Sequence, residues 1–203
     1  MLLITLLAYM VLMPAQPALP SVQGAWLMPA QPLPEFELEQ HDGAPVSADT
    51  LPGPWRLISY GFTHCPDICP TTLIELAQFK RSLDQQQEFN DLEVHFYTID
   101  PGRDSLEQLS RYLPWFHDDF SGWRASSERH ANTFESSLGI NATVRNNSDG
   151  TVDVTHGLKL FLLDAKGRLQ VVLEPTRTLS GQLHYQPDVL LKDYKTVRRW
   201  VGS

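Results

Sequence analysis

The stretch Gly61-Phe62-Thr63-His64-Cys65-Pro66-Asp67-Ile68-Cys69-Pro70 holds both cysteines of the chain, separated by three residues and flanked by prolines. Two soft sulfur donors on one tight turn suit either a reversible disulfide or a thiolate site for a soft metal. Pro66 and Pro70 disfavour a continuous helix through the motif, because Pro70 removes a donor and constrains Cys69 before it. Both sulfurs are therefore expected to precede a helix that opens at Pro70, with Cys69 near its N-cap. The positive end of that helix favours thiolate over thiol, and thiolate is the form that binds metal or attacks a disulfide. Acidity alone does not separate those two jobs. A purely structural disulfide is the weaker alternative, since so short a loop constrains the unfolded chain little.

The elements that must position this turn are legible around it. Trp55–Phe62 is a largely apolar run that reads as a buried strand ending at the motif. Leu73, Leu76, Ala77 and Leu83 recur at helical spacing from 70 to about 84, and Leu92–Ile99 reads as a second strand, giving a βαβ unit. Asp104-Ser-Leu-Glu107 resembles a capping box opening a short helix with Leu106, Leu109 and Leu113. A helix over Ser127–Leu138 places Ala131, Phe134 and Leu138 on one side, and the polar insertion Asn141–Gly150 predicts a surface hairpin. Leu158–Leu163 and Arg168–Leu173, joined by Asp164-Ala-Lys-Gly167, predict an antiparallel hairpin at the sheet edge. A last helix carries Leu190, Tyr194, Val197 and Val201, while Phe36–Gly43 opens the domain as a small ribbon turning at Asp42-Gly43. The aromatics Trp115, Phe116, Phe120 and Trp123 are expected to cover the sheet.

Composition bounds the setting. At 203 residues and 42% hydrophobic content the chain can bury one full-sized core, and one domain is the default. A net charge of -8, with no basic stripe, argues against nucleic acid as a partner. Residues 1–34 read as an export or membrane-anchor segment followed by a Pro- and Ala-rich spacer. The apolar run Met1–Met13 is nearer in length to a signal-peptide core than to a bilayer span, and Pro14-Ala15-Gln16-Pro17-Ala18 matches a cleavage site poorly. Residues 35–203 are then the folded domain.

GFTHCPDICPTTL, TIDPGRD and the histidine of VTHGLKLFLLDAKGRL together resemble the Sco-type (SenC/PrrC) proteins, over a stretch from about Phe36 to the C-terminus. The resemblance implies an α/β, thioredoxin-like fold with a central mixed sheet, flanking helices and added hairpins. It implies copper as the metal, with Cys65, Cys69 and His156 as its ligands, and delivery of copper to the dinuclear centre in the copper-bearing subunit of cytochrome c oxidase. It further implies a donor protein for the copper or a thiol reductant, and a location at the periplasmic side of a bacterial inner membrane, through the N-terminal segment. One position departs from the family pattern: Thr155 stands where an Asp often precedes the ligand histidine, with Asp153 two residues earlier, so any carboxylate that orients the imidazole is in doubt.

With His156 as third ligand, two thiolates and a neutral imidazole would make a three-coordinate Cu(I) site. A structural zinc site closes with four donors, and no second cysteine pair is present. Without the resemblance, His156 reads as an ordinary histidine at a strand start. A metallochaperone is expected rather than a turnover enzyme, and a thiol-disulfide oxidoreductase stays open because it uses the same two sulfurs. A peroxidase is the weaker reading, since Thr63 lies two residues before Cys65 where peroxiredoxins place Thr three before. Of the other histidines, His64 alone adjoins a cysteine; His41, His95, His117, His130 and His184 read as solvated rings. Asp67, Asp100, Arg103 and Asp104 read as caps and loop ion pairs.

Overall fold

In the computed structural model, which describes residues 18–147, 152–178 and 181–202, the run Trp55–Gly61 is buried at all seven positions. A strand with no polar face needs cover on both sides. In chain order the strands are β1 (Gly24–Gln31), β2 (Glu37–Gln40), β3 (Pro45–Ser47), β4 (Trp55–Gly61), β5 (Leu92–Thr98), β6 (Phe120–Ala125), β7 (Ala142–Asn146), β8 (Val152–His156), β9 (Leu160–Leu163), β10 (Leu169–Leu173), β11 (Thr176–Arg177) and β12 (Leu183–His184). The helices are α1 (Ile68–Asp84), α2 (Leu106–Tyr112), α3 (Glu128–Leu138) and α4 (Pro187–Val201). Eight strands form one sheet in the order β1-β10-β9-β4-β5-β6-β2-β3. β4, β5 and β6 run parallel through α1 and α2, and the outer strands pair antiparallel, so the sheet is mixed as expected.

Alternation along β4 divides the core. Trp55 and Leu57 pack with Leu73, Phe79, Leu109 and Tyr194 from α1, α2 and α4. Ile58 and Tyr60 pack on the other face with Trp123, Phe134, Phe161 and the two cysteines. The site thus grows from the end of the most buried strand.

Several expectations are corrected. Part of the segment read as spacer is β1, which pairs with β10 at the sheet edge and leaves the β9–β10 hairpin one strand inside it. An edge strand tolerates proline, and the register breaks between Trp26 and Gln31, the interval that holds Pro29. Phe120–Ala125 is a strand rather than part of an aromatic cover: Trp123 is buried in it, whereas Trp115 is 86% exposed. Gly122 allows α2 to close on that strand, because a Cβ there would lie 2.9 Å from both Leu109 and Leu113. The short helix is capped by Ser105, whose hydroxyl accepts from Gln108 N at 3.1 Å, one residue past the expected box. α1 opens at Ile68, so Cys69 lies within its first turn instead of before it. The hairpin expected within 141–150 runs on to His156, since its strands are β7 and β8, with residues 148–151 between them outside the described residues. The apolar run at 1–13 also lies outside them, and among the described residues no helix is long and apolar enough to cross a membrane.

Candidate metal centre

β4 ends at Gly61, whose carbonyl accepts from Ile99 N at 2.9 Å, and the chain then turns so that Cys65 N donates to Phe62 O at 3.2 Å. The turn carries Cys65, 9% exposed, and passes into α1 with Cys69, 3% exposed; neither is bridged. One helical turn brings Cys69 N to within 3.4 Å of Cys65 Sγ, to which it donates. Gly61 leaves room for the second sulfur. A Cβ at that position would sit 2.6 Å from Cys69 Sγ and 3.2 Å from Phe96 Cε2. Gly61→Ala is therefore expected to destabilise the fold by about 1–3 kcal/mol, as overpacking does. Because the clash falls on a sulfur, it should weaken soft-metal binding as well. Thermal unfolding and chelator competition measure the two effects, and wild-type values in both would mean that Sγ yields without cost.

His156 arrives from the other side of the sequence. It closes β8, which is tied to β7 by pairing Ala142 with His156, and the alternating burial of β8 turns Val152, Val154 and His156 inward. Its Nδ1–H donates to Gly157 O at 2.7 Å, which leaves Nε2 as the ring's lone-pair atom, 3.7 Å from Cys69 Sγ. Tyr60 and Phe62 flank the ring at 5.6 and 6.0 Å between centroids. Gly157 fits beneath Tyr60, since a Cβ would meet its hydroxyl at 2.9 Å. The ligand atoms of Cys65, Cys69 and His156 all lie within 4.8 Å of one another. Such a triad can hold a soft metal through two sulfurs and one nitrogen. The question raised by Thr155 has a structural answer: Thr155 is exposed, Asp153 accepts from Asn147 Nδ2, and the Gly157 carbonyl orients the imidazole.

Electrostatics correct a second expectation. Burial pushes the Cys69 thiol well above its ordinary range, and the neighbouring Cys65 adds to the effect. The helix end does not outweigh that desolvation, so Cys69 is a thiol until something replaces its proton. Burial also lowers the His156 pKa, against the opposing pull of the Gly157 carbonyl, and the ring stays neutral and able to ligate.

Asp104 is not the cap its sequence pattern suggests but a fully buried carboxylate that holds the motif turn. Its Oδ2 accepts from Thr63 N at 2.9 Å and Thr98 Oγ1 at 2.7 Å, and its Oδ1 accepts from Thr63 Oγ1 at 2.6 Å. Arg103 pairs with Asp100 and lies over the Phe62 ring, 5.6 Å from its centroid. His64 contacts Thr63 and Asp104 at 3.1 and 3.5 Å and stands outside the ligand triad. His95 is buried rather than solvated, stacked on Trp123 at 4.0 Å, because it falls on a strand covered on both faces. In a second cluster, Asp84, His117 and Asp119, both carboxylates already pair with the ammonium of Lys80.

A model of the SCO1/SenC family matches residues 28–183. A protein of Stutzerimonas stutzeri described as copper-binding is 31% identical over 158 residues, which are 78% of this chain and 76% of that protein. A mitochondrial SCO2 homologue of Mus musculus is 32% identical over 133 residues, or 66% of this chain and 52% of its own length. The chain thus spans about half the length of the mitochondrial SCO2 relatives it matches. Arabidopsis thaliana ScoI, solved with copper bound, aligns with a TM-score of 0.71 at 26% identity, covering 83% of this chain and 99% of that one. Yeast Sco1 with copper bound aligns with a TM-score of 0.68 at 26% identity, covering 91% and 90%. The architecture is the thioredoxin-like one that the motifs led us to expect.

Proposed function

The chain belongs to the SCO1/SenC family, and on that premise we propose that it is a copper carrier in which Cys65, Cys69 and His156 hold one Cu(I). The observation that carries this reading is the aimed imidazole, with Nδ1 tied to Gly157 and Nε2 3.7 Å from Cys69 Sγ. Two thiolates and a neutral imidazole are soft enough to prefer Cu(I), and three donors leave the ion open to a partner's ligands. The recipient in this reading is the dinuclear copper centre in the copper-bearing subunit of cytochrome c oxidase, served during its assembly. A donor protein supplies the ion. If the sulfurs are joined as a disulfide, an external dithiol must first give two electrons and two protons to restore both ligands. In the same proposal, residues ahead of β1 act as an export or anchor segment that keeps the domain at the periplasmic face of a bacterial inner membrane. Its support is the apolar run at 1–13.

The test is anaerobic Cu(I) titration of the reduced chain. One equivalent is expected, and its apparent affinity should rise about tenfold or more per pH unit through neutrality, because each thiol proton displaced adds a decade. The sign follows from the shifts: Cys69, pushed up by burial, must give up a proton to bind, whereas His156, pushed down, has none to lose. Absence of a one-to-one complex, or an affinity indifferent to pH, counts against the site.

A thiol-disulfide oxidoreductase acting on the recipient's cysteines is the second reading. The contact between Cys69 N and Cys65 Sγ favours it, since it places the sulfurs one helical turn apart. The raised Cys69 thiol disfavours that cysteine as the attacking group.

A further inference from the structure

Tyr112 ends α2, and its hydroxyl is buried with no hydrogen-bond partner among the described residues. A buried phenol oxygen without a partner destabilises the fold, and Phe would fill the same space without that penalty. Gln108, one turn earlier on the same face, reaches Thr63 Oγ1 at 3.4 Å. The Tyr112 ring lies 6.3 Å from Phe96, and Phe96 is the side chain that shares with Cys69 Sγ the space a Cβ on Gly61 would enter. Burial opposes ionisation of the phenol. It therefore remains an O–H donor beside the Phe96 ring that borders Cys69 Sγ.

We propose that the Tyr112 hydroxyl donates a hydrogen bond to the Cys65–Cys69 thiolate pair when the pair holds copper, a positioning residue that acts on the ion through the sulfurs. This inference rests on the copper reading given above. Displacing the thiol protons puts negative charge into a dry wall, and charge-assisted hydrogen bonds are what offset such a charge.

The test is Tyr112→Phe in the full chain, which removes one oxygen and its proton. Metal-free and reduced, the variant should be as stable to heat as the wild type or more so, because an unpartnered buried oxygen has gone. Loaded, it should bind Cu(I) about tenfold more weakly by chelator competition, as loss of one hydrogen bond to a charged group predicts. With Cu(II) as probe, the sulfur-to-copper charge-transfer band should move to longer wavelength, since the sulfur orbitals lose the stabilising donor. Opposite signs in the two states are the signature. Equal destabilisation of both states with an unmoved band would mark Tyr112 as packing only, and unchanged affinity with an unmoved band would likewise overturn the inference while leaving the copper site standing. A wild-type chain that binds no copper would end the copper reading itself and this inference with it.

Discussion

His156→Ala is expected to lower Cu(I) affinity by at least about a hundredfold while leaving the fold and the dithiol intact. Loss of a group that merely orients a ligand costs 10–100-fold, so loss of the ligand itself should cost no less. The cost to folding should be small, within about 1 kcal/mol. The ring is half-buried, and its Nδ1 bonds only to the next residue's carbonyl. What remains is a two-coordinate pair of sulfurs, which can still exchange electrons with another thiol. The variant therefore separates the two functions that share Cys65 and Cys69. Chelator competition reads the copper site, and reduction of a model disulfide by the reduced chain reads the dithiol. Copper affinity unchanged in His156→Ala would falsify the triad, whereas loss of affinity with thiol exchange retained supports the carrier.

The unequal legibility of the site has physical causes. The cysteine turn, the strand that feeds it and the helix that follows are local, and periodicity with proline placement reveals them. His156 lies 87 residues from Cys69, and no spacing rule reaches that far. Only the resemblance to a known family singles it out from the chain's other histidines. Asp104-Ser-Leu-Glu107 satisfies a capping pattern, while the fold gives the cap to Ser105 and turns the Asp104 carboxylate inward. Local capping and tertiary clamping use the same residue type, and sequence alone does not separate them. The acidity of Cys69 departs from the helix-end expectation for a reason of magnitude. A helix terminus is worth roughly 0.3–1 kcal/mol, whereas burial shifts a pKa by up to several units, each about 1.4 kcal/mol. β1 and β6 were missed because proline in one and glycine with polar residues in the other lower strand propensity, and pairing at the sheet overrides it.

Asp104→Ala should be the most destabilising truncation around the site, by about 3–5 kcal/mol, the range seen when buried polar groups lose their partner. Three donors converge on that carboxylate: Thr63 N, Thr63 Oγ1 and Thr98 Oγ1. The hydroxyls can rotate toward other acceptors, but the Thr63 amide is fixed in the turn two residues before Cys65 and would be left unpaired. Asp104→Asn discriminates this clamp from a simple need for charge. Its carbonyl oxygen can serve Thr63 N and Thr98 Oγ1, and its amide can donate to Thr63 Oγ1, so the loss should stay near 1 kcal/mol. Denaturant midpoints of the two variants measure the difference. A loosened Thr63 should also let Cys65 wander, and copper affinity should fall in the order wild type, Asn, Ala. Were Ala as stable as Asn, the hydrogen bonds would not be what holds the turn. Should both fall equally far, the negative charge itself would be the requirement. The clamp predicts neither, because its energy lies in three directed bonds that an amide can largely reproduce and a methyl group cannot.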